Sequence, residues 1–311
     1  MASFRSFWGY PFPKIRLIRC RLLSSTSFTF PLFPNKQLYN KAMREKGETM
    51  AYETILTEER NGVLLITFNR PKARNAMSSL MMEEFSSELE RWDNDPTQRC
   101  CIITNAGTCF CAGADLKELA AGTYHLPKGK ENWGLLGMSK HRFKKPLIAA
   151  VNGVCVGGGL GLVLACDIAI ASSHSVFGLP EARHGRASTG DGAILRLMQQ
   201  IPQKYAAELI LVGDNIDAEK AYEWGLISRV VSEEELLATA FKLAEGIVKS
   251  APLAIEYSKA AMKEAAACDD KFPGAGWGIM DYYQELVNAT EDSLEGPKAF
   301  AEKREPQWKG R

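Results

Sequence analysis

The sequence predicts an α/β core followed by a helical C-terminal region, and three observations carry that prediction. From Tyr52 to Ser172, short β-branched or alternating apolar runs take turns with segments of helical apolar spacing. Beyond Glu181 the periodicity is helical only. Within the first of these regions the apolar run Leu147 to Val154 enters three consecutive glycines, Gly157, Gly158 and Gly159, and leaves as an apolar helical run. Bare backbone at the start of a helix lets N–H groups approach an anion or a developing oxyanion.

Each element has its own warrant. The segment YETILTEERNGVLLITFNR, from Tyr52, alternates apolar and polar residues around Asn61-Gly62, which predicts two strands and a tight turn. Arg70-Pro71 closes that pair. Leu80, Met81, Phe85, Leu89 and Trp92 recur at helical spacing and predict a helix over Ser78 to Trp92, while CCIITN (Cys100 to Asn105) reads as a buried strand. A loop from Ala106 to Asp115 then leads into a helix over Leu116 to Ala121. Asp115 and Glu118 stand three apart at its start, the spacing of a capping box. After a polar stretch (Gly122 to Asn132) and the glycine-rich unit come a strand at Ile168 to Ser172 and the loop carrying Glu181. Helices are expected over Ala193 to Ile201, Lys204 to Val212, Ala218 to Trp224, Glu233 to Ser250 and Pro252 to Ala267. The division expected is a leader (1–49), a core domain (50–250) and a helical C-terminal region (251–311).

With 311 residues and 46% hydrophobic content, the chain can bury a large core. Its charge is unevenly spread. Met1 to Arg44 holds eight basic residues and no Asp or Glu, with serines and an amphipathic IRLIRCRLLSSTSF stretch, the composition of a mitochondrial transit peptide. A matrix location follows as the expectation. From Met50 onward 29 basic residues face 35 acidic ones, a formal charge of −6 that argues against a general nucleic-acid binder. The longest apolar stretch, Leu147 to Ala171, contains Asp167 and the glycines, so no membrane insertion is expected. The eight cysteines match no zinc spacing and read as free thiols in a reducing compartment; no metal is expected.

The chemistry concentrates between Pro146 and Asp191. Backbone amides at the glycine triplet can polarise an acyl carbonyl, and Glu181, after Pro180, is placed to move a proton beside it. Asp191 lies between Gly190 and Gly192 just before a helix, so it reads as an N-cap or as a second acid on the loop leaving Glu181. His184 reads as an orienting residue and Asp167 as a hydrogen-bonded residue at a helix end. The glycines are no nucleotide P-loop, since GxxxxGK[ST] is absent.

Six segments, in order, resemble the crotonase (enoyl-CoA hydratase and isomerase) superfamily: FNRPKARNAM, FCAGADLKEL, AAVNGVCVGGGLGLVLACDIAIA, FGLPEARHG, LVGDNIDAEKAYEWGLISRVV and GPKAFAEKREPQW. The resemblance covers Tyr52 to the end. It implies a spiral of ββα units, a C-terminal region that closes a homotrimer or homohexamer, and acyl-CoA substrates, with coenzyme A as part of the substrate and no separate cofactor. It places the oxyanion-hole amides at Ala114 and Gly158, the catalytic glutamate at Glu181, and substrate contacts at Lys72, Ala73, Ala112, Asp115, Leu116 and Lys117. One departure stands out. Hydratases of the family carry a first glutamate two residues after the glycine triplet, where this chain has Gly161. The expected activity is hydration of a 2-enoyl-CoA; Δ3,Δ2-enoyl-CoA isomerase and hydroxycinnamoyl-CoA hydratase-lyase, which use a single glutamate, are the alternatives. A non-catalytic CoA-binding or RNA-binding member is the reading from another class. Glu83, Glu84, Glu88 and Glu90 against Arg91 on the first helix would repel RNA phosphates. The acyl pocket wall is expected from Thr123 to Phe143.

Overall fold

The computed structural model describes residues 52–311. The expected leader lies outside them.

The predicted hairpin forms as β1 (Ile55–Arg60) and β2 (Val63–Phe68), antiparallel about Asn61-Gly62, both at positive φ. Helix α1 (Ser79–Asn94) follows, and the Ser78 side chain caps it by accepting from the Met81 N–H. Strands β3 (Cys100–Asn105) and β4 (Cys109–Cys111) precede α2 (Leu116–Ala121). The expected single strand from Leu147 breaks at Asn152-Gly153 into β5 (Leu147–Val151) and β6 (Val154–Val156), and α3 (Gly158–Ala165) starts inside the glycine triplet. Strands β7 (Ile168–Ser172) and β8 (Val176–Gly178) complete a third pair.

Each pair places one strand in each of two sheets. With β9 (Ile216–Asp217) and β10 (Arg229–Val231) from further along the chain, the larger sheet has the order β1-β2-β3-β5-β7-β10, parallel from β2 onward, and the smaller has the order β4-β6-β8-β9. The chain therefore climbs one ββα turn at a time. The corners between sheets are tight: Asn105 donates to the Asn152 carbonyl (3.0 Å) and accepts from the Asn152 N–H (3.2 Å). Gly153 sits at φ 86°, where a Cβ would overlap the Thr108 carbonyl.

Two expectations are corrected here. The stretch Ala106 to Asp115 is not all loop, because β4 lies within it; three-residue strands carry too little alternation to be read. The region beyond Glu181 is not all helical. Strands β9 (Ile216–Asp217) and β10 (Arg229–Val231) add to the two sheets among helices α4 (Ala193–Gln200), α5 (Gln203–Leu211), α6 (Ala218–Glu223) and α7 (Glu233–Val248). After α8 (Pro252–Ala265) come α9 (Ala275–Asn288) and α10 (Asp292–Glu302), two helices whose bounds the apolar spacing did not mark.

Burial on both faces explains why the central strands read as continuous apolar runs. Leu64, Ile66 and Phe68 face the core that holds Phe85, Leu89 and Trp92 of α1, whereas Val63, Leu65, Ile102 and Ile148 pack with Leu236, Ala240 and Ala244 of α7. Asp167 anchors α8 to this core: it accepts from the Leu147 N–H (2.9 Å) and pairs with Lys259 (2.7 Å) and Lys263 (3.4 Å). All seven cysteines among the described residues are free, and burial pushes the Cys100, Cys111 and Cys166 thiols up to about 12, which makes them packing groups rather than nucleophiles.

Candidate active site

Two backbone segments meet at the start of α3. Residues Met77 and Ala114 form a parallel bridge in which the Met77 N–H donates to the Gly113 carbonyl (2.8 Å) and the Asp115 N–H donates to the Met77 carbonyl (3.0 Å). That pairing uses the neighbours of Ala114 and turns its own N–H to the opposite side. Gly158 is the first residue of α3, so its N–H has no acceptor within the helix. The approach between the two segments is close: a Cβ on Gly113, at φ 89°, would lie 3.0 Å from Gly158 N. The segments that carry the Ala114 and Gly158 amides thus adjoin, with the positive end of α3 behind them.

Glu181 reaches the same place from the turn Pro180–His184, and a Cβ on Gly157 would lie 3.1 Å from its Oε1. Burial raises the Glu181 pKa above its ordinary value, and the neighbouring Asp191 raises it further; Ser188 and His184 oppose the shift. Ser188 lies beside the carboxylate but out of hydrogen-bonding geometry. Glu181 Oε2 and Ser188 Oγ are both buried without a protein partner. His184 is exposed at the end of the turn.

Asp191 is buried and belongs to the same cluster. A Cβ on Gly161 would lie 2.6 Å from Asp191 Oδ2, 2.9 Å from its Cγ and 3.2 Å from its Cβ. Its other oxygen accepts from the Ala193 N–H (3.0 Å), so the capping geometry is present too, although Gly192 holds the formal cap position of α4. Burial raises the Asp191 pKa, opposed by its backbone bonds and by Arg196.

The residues implied for substrate contact divide. Asp115 caps α2 by accepting from the Lys117 N–H (3.1 Å) and pairs with Arg70 (3.2 Å). The capping box with Glu118 does not form, because Glu118 instead accepts from the Ser79 N–H (2.8 Å) and hydroxyl (2.7 Å). Lys72, Leu116 and Lys117 are exposed, and Ala73 and Ala112 are half-buried. The Arg70–Asp115 pair ties the turn that carries Lys72 to the start of α2, which carries Lys117. Asn75, which the sequence reading passed over, holds this arrangement. It is buried, accepts from the Arg70 N–H (2.7 Å) and donates to the carbonyls of Ala106 (3.1 Å) and Cys109 (2.6 Å). Its φ of 49°, beside Arg74 at 53°, is a left-handed conformation that Asn tolerates, which is the one signal that could have found it.

The expected pocket wall, Thr123 to Phe143, supplies Leu135 and Leu136. Leu136 sits at φ 62° with its Cδ2 3.2 Å from a Cβ placed on Gly158, and Leu135 Cδ1 lies 2.6 Å from a Cβ placed on Gly190. A leucine held in the left-handed region beside two amides is local strain at a binding site. The glutamates on α1 have structural partners instead of phosphates: Glu84 accepts from the Glu53 and Thr54 N–H groups, and Glu88 binds Arg91 and Tyr52.

A family model described as enoyl-CoA hydratase/isomerase matches residues 58–311. A mevalonyl-coenzyme A hydratase of Aspergillus fumigatus is 37% identical over 251 residues, covering 79% of this chain and 91% of the relative. A carnitinyl-CoA dehydratase of Proteus mirabilis is 39% identical over 257 residues, covering 81% and 97%. Among solved structures, an enoyl-CoA hydratase from Mycobacterium tuberculosis superposes with a TM-score of 0.75 at 36% identity, covering 83% of this chain and 99% of its own.

Proposed function

This chain belongs to the enoyl-CoA hydratase/isomerase family, an acyl-CoA hydratase by its relatives, and on that footing we propose that it adds water across the C2=C3 bond of a 2-enoyl-CoA, with Glu181 as the proton-transfer group. One observation supports this reading above the others: two amides without a backbone acceptor, Ala114 and Gly158, lie near a half-buried carboxylate whose proton affinity is raised. In hydration, electron density moves from the double bond onto the thioester oxygen as water bonds to C3. The two N–H groups receive that charge, Glu181 takes the proton released by water, and an acid of the same site protonates C2 as the enolate collapses and is then restored by the proton from Glu181. Lys72 and Lys117 are proposed to meet the nucleotide phosphates, and the backbone at Ala73, Ala112 and Leu116 the rest of the coenzyme A arm.

The test is a panel of 2-enoyl-, 3-enoyl-, 3-hydroxyacyl- and cinnamoyl-CoA thioesters followed by mass. Gain of one water on the 2-enoyl substrates is the expected result. A mass-neutral 3-enoyl to 2-enoyl conversion without water gain would establish the isomerase instead, and chain cleavage the hydratase-lyase.

Two further features are proposed with it. The basic, acid-free stretch Met1 to Arg44 supports import into the mitochondrial matrix, and N-terminal sequencing of the protein from fractionated cells should find it cleaved between Ser24 and Met50. The C-terminal helices expose Met262, Tyr282, Leu294 and Phe300, a surface suited to a homotrimer or a dimer of trimers. Light scattering should give three or six copies; a monomer at micromolar concentration contradicts the assembly.

A further inference from the structure

We propose that Asp191 is the second acid–base residue of this site, standing from the loop in the place that a side chain at position 161 would occupy on α3. The inference rests on the hydratase reading above and adds a residue to it. Gly161 is buried, and the three atoms nearest to its missing Cβ all belong to the Asp191 side chain. Gly157, one turn earlier, is faced in the same way by Glu181. The Gly161 N–H donates to the Gly157 carbonyl (3.2 Å), so a single helical turn separates the two positions. Two carboxylates are therefore seated against one bare turn of α3, and a side chain at position 161 would have to displace that of Asp191.

The capping role of Asp191 does not account for this. One oxygen suffices to accept from Ala193, and Asn or Ser would do so without burying a charge. Burial raises the proton affinity of the carboxylate, and the Arg196 guanidinium offsets this only from a distance, since it donates to the Asp191 backbone carbonyl (2.8 Å) and to the Ser139 carbonyl. Ser188, between the two acids in sequence, is 7% exposed and its hydroxyl lies beside the Glu181 carboxylate, a neutral polar group in the same cluster.

The division of labour follows. As the water oxygen bonds to C3, the Glu181 carboxylate accepts one water proton and the C2=C3 electron pair moves to the thioester oxygen. The protonated Asp191 then gives its proton to C2 while the enolate reverts to the carbonyl. Product leaves with both hydrogens of water accounted for, and the proton on Glu181 returns to Asp191 to reset the pair. The charged groups facing the two acids are Arg196 from α4 and His184 from the turn, with each acid facing the other. A pair sharing one proton gives a bell-shaped kcat/KM profile whose limbs belong to the pair.

Asp191→Asn keeps the acceptor for Ala193 and removes the proton. On a 2-enoyl-CoA we expect kcat to fall by roughly 10²-fold or more with KM within about threefold, and the profile to lose one limb. The double variant Asp191→Gly with Gly161→Glu, which clears the position and returns the carboxylate from α3, should recover at least about tenfold of what Asp191→Asn loses. An Asp191→Asn enzyme keeping more than about a third of the rate with its bell intact overturns the inference and leaves the hydratase reading standing. So does a relocated carboxylate that performs no better than Asp191→Asn. If the variants do not fold, the wild-type profile decides: two ionisations support the pair, and one overturns it. A wild-type protein that hydrates none of the thioesters overturns the hydratase reading and this inference with it.

Discussion

Glu181→Gln separates chemistry from folding more cleanly than any other change at this site. The glutamine keeps the size and the polar contacts of the side chain, including the approach to Gly157, but cannot carry a proton. General acid–base catalysis is worth roughly 10² to 10⁴ in rate, or about 3–5 kcal/mol of barrier, so kcat should fall by that factor. The affinity for acyl-CoA should hold, because Lys72, Lys117 and the Arg70–Asp115 turn are untouched. Stability should move the other way. Burial raises the Glu181 pKa, so the folded state binds its proton more tightly than the unfolded chain does. Stability is then greatest below the unfolded pKa and declines as pH rises through the window between the unfolded and folded values, where the buried group must ionise. Gln removes that penalty, and thermal melts at pH 7 to 8 should show a midpoint equal to or above the wild type. The assays are steady-state hydration, isothermal titration with a non-reacting acyl-CoA, and thermal unfolding at several pH values. A variant retaining more than about a tenth of the wild-type rate refutes the assignment of Glu181.

Other expectations concern the scaffold. Gly113→Ala places a Cβ 3.0 Å from Gly158 N at a φ of 89°, so it should cost about 1–3 kcal/mol of stability and, by moving one amide, roughly 10²-fold or more in kcat, measured by denaturant unfolding and hydration assays. Asp115→Ala loses both the α2 cap and the Arg70 pair and should cost about 0.5–2 kcal/mol with a raised KM, whereas Asp115→Asn keeps the cap acceptor and should lose less stability for a similar rise in KM. Asn75→Ala leaves three backbone partners of a buried amide unmade; at about 1–3 kcal/mol for each buried group left unsatisfied, the melting midpoint should drop by several degrees, with activity reduced through KM.

The long, strongly periodic elements were legible because their environment is written into local pattern. Leu80 to Trp92 repeats at helical spacing, and β2 and β3 are apolar on both faces because α1 covers one face and α7 the other. The smaller sheet was not legible for the opposite reason. Its strands run two or three residues each, and CFC or VCV carries no period to measure. What fixes them lies elsewhere: the Asn105–Asn152 bonds and the Thr108 carbonyl against Gly153 turn the chain from one sheet to the other. Helices α9 and α10 escaped for a third reason. Their apolar residues are largely on the exposed side, so the pattern there does not describe the interior of this chain.

The same distinction explains the site. Ala114, Gly158 and Glu181 were assigned through short segments in a fixed order, and the bridge to Met77 and the helix start leave the two amides without a backbone acceptor. Asp191 could not be settled that way, since an aspartate between two glycines before a helix has the spacing of a cap whatever else it does. Gly161 was equally mute, because a glycine records only that a side chain is missing and not what stands in its place. The two silences answer each other only in three dimensions, where one carboxylate fills the volume the other position has given up. A residue thirty places away thus decides whether the loss at position 161 removes an acid from the site or moves it, and a rate measured on Asp191→Asn reads that difference directly.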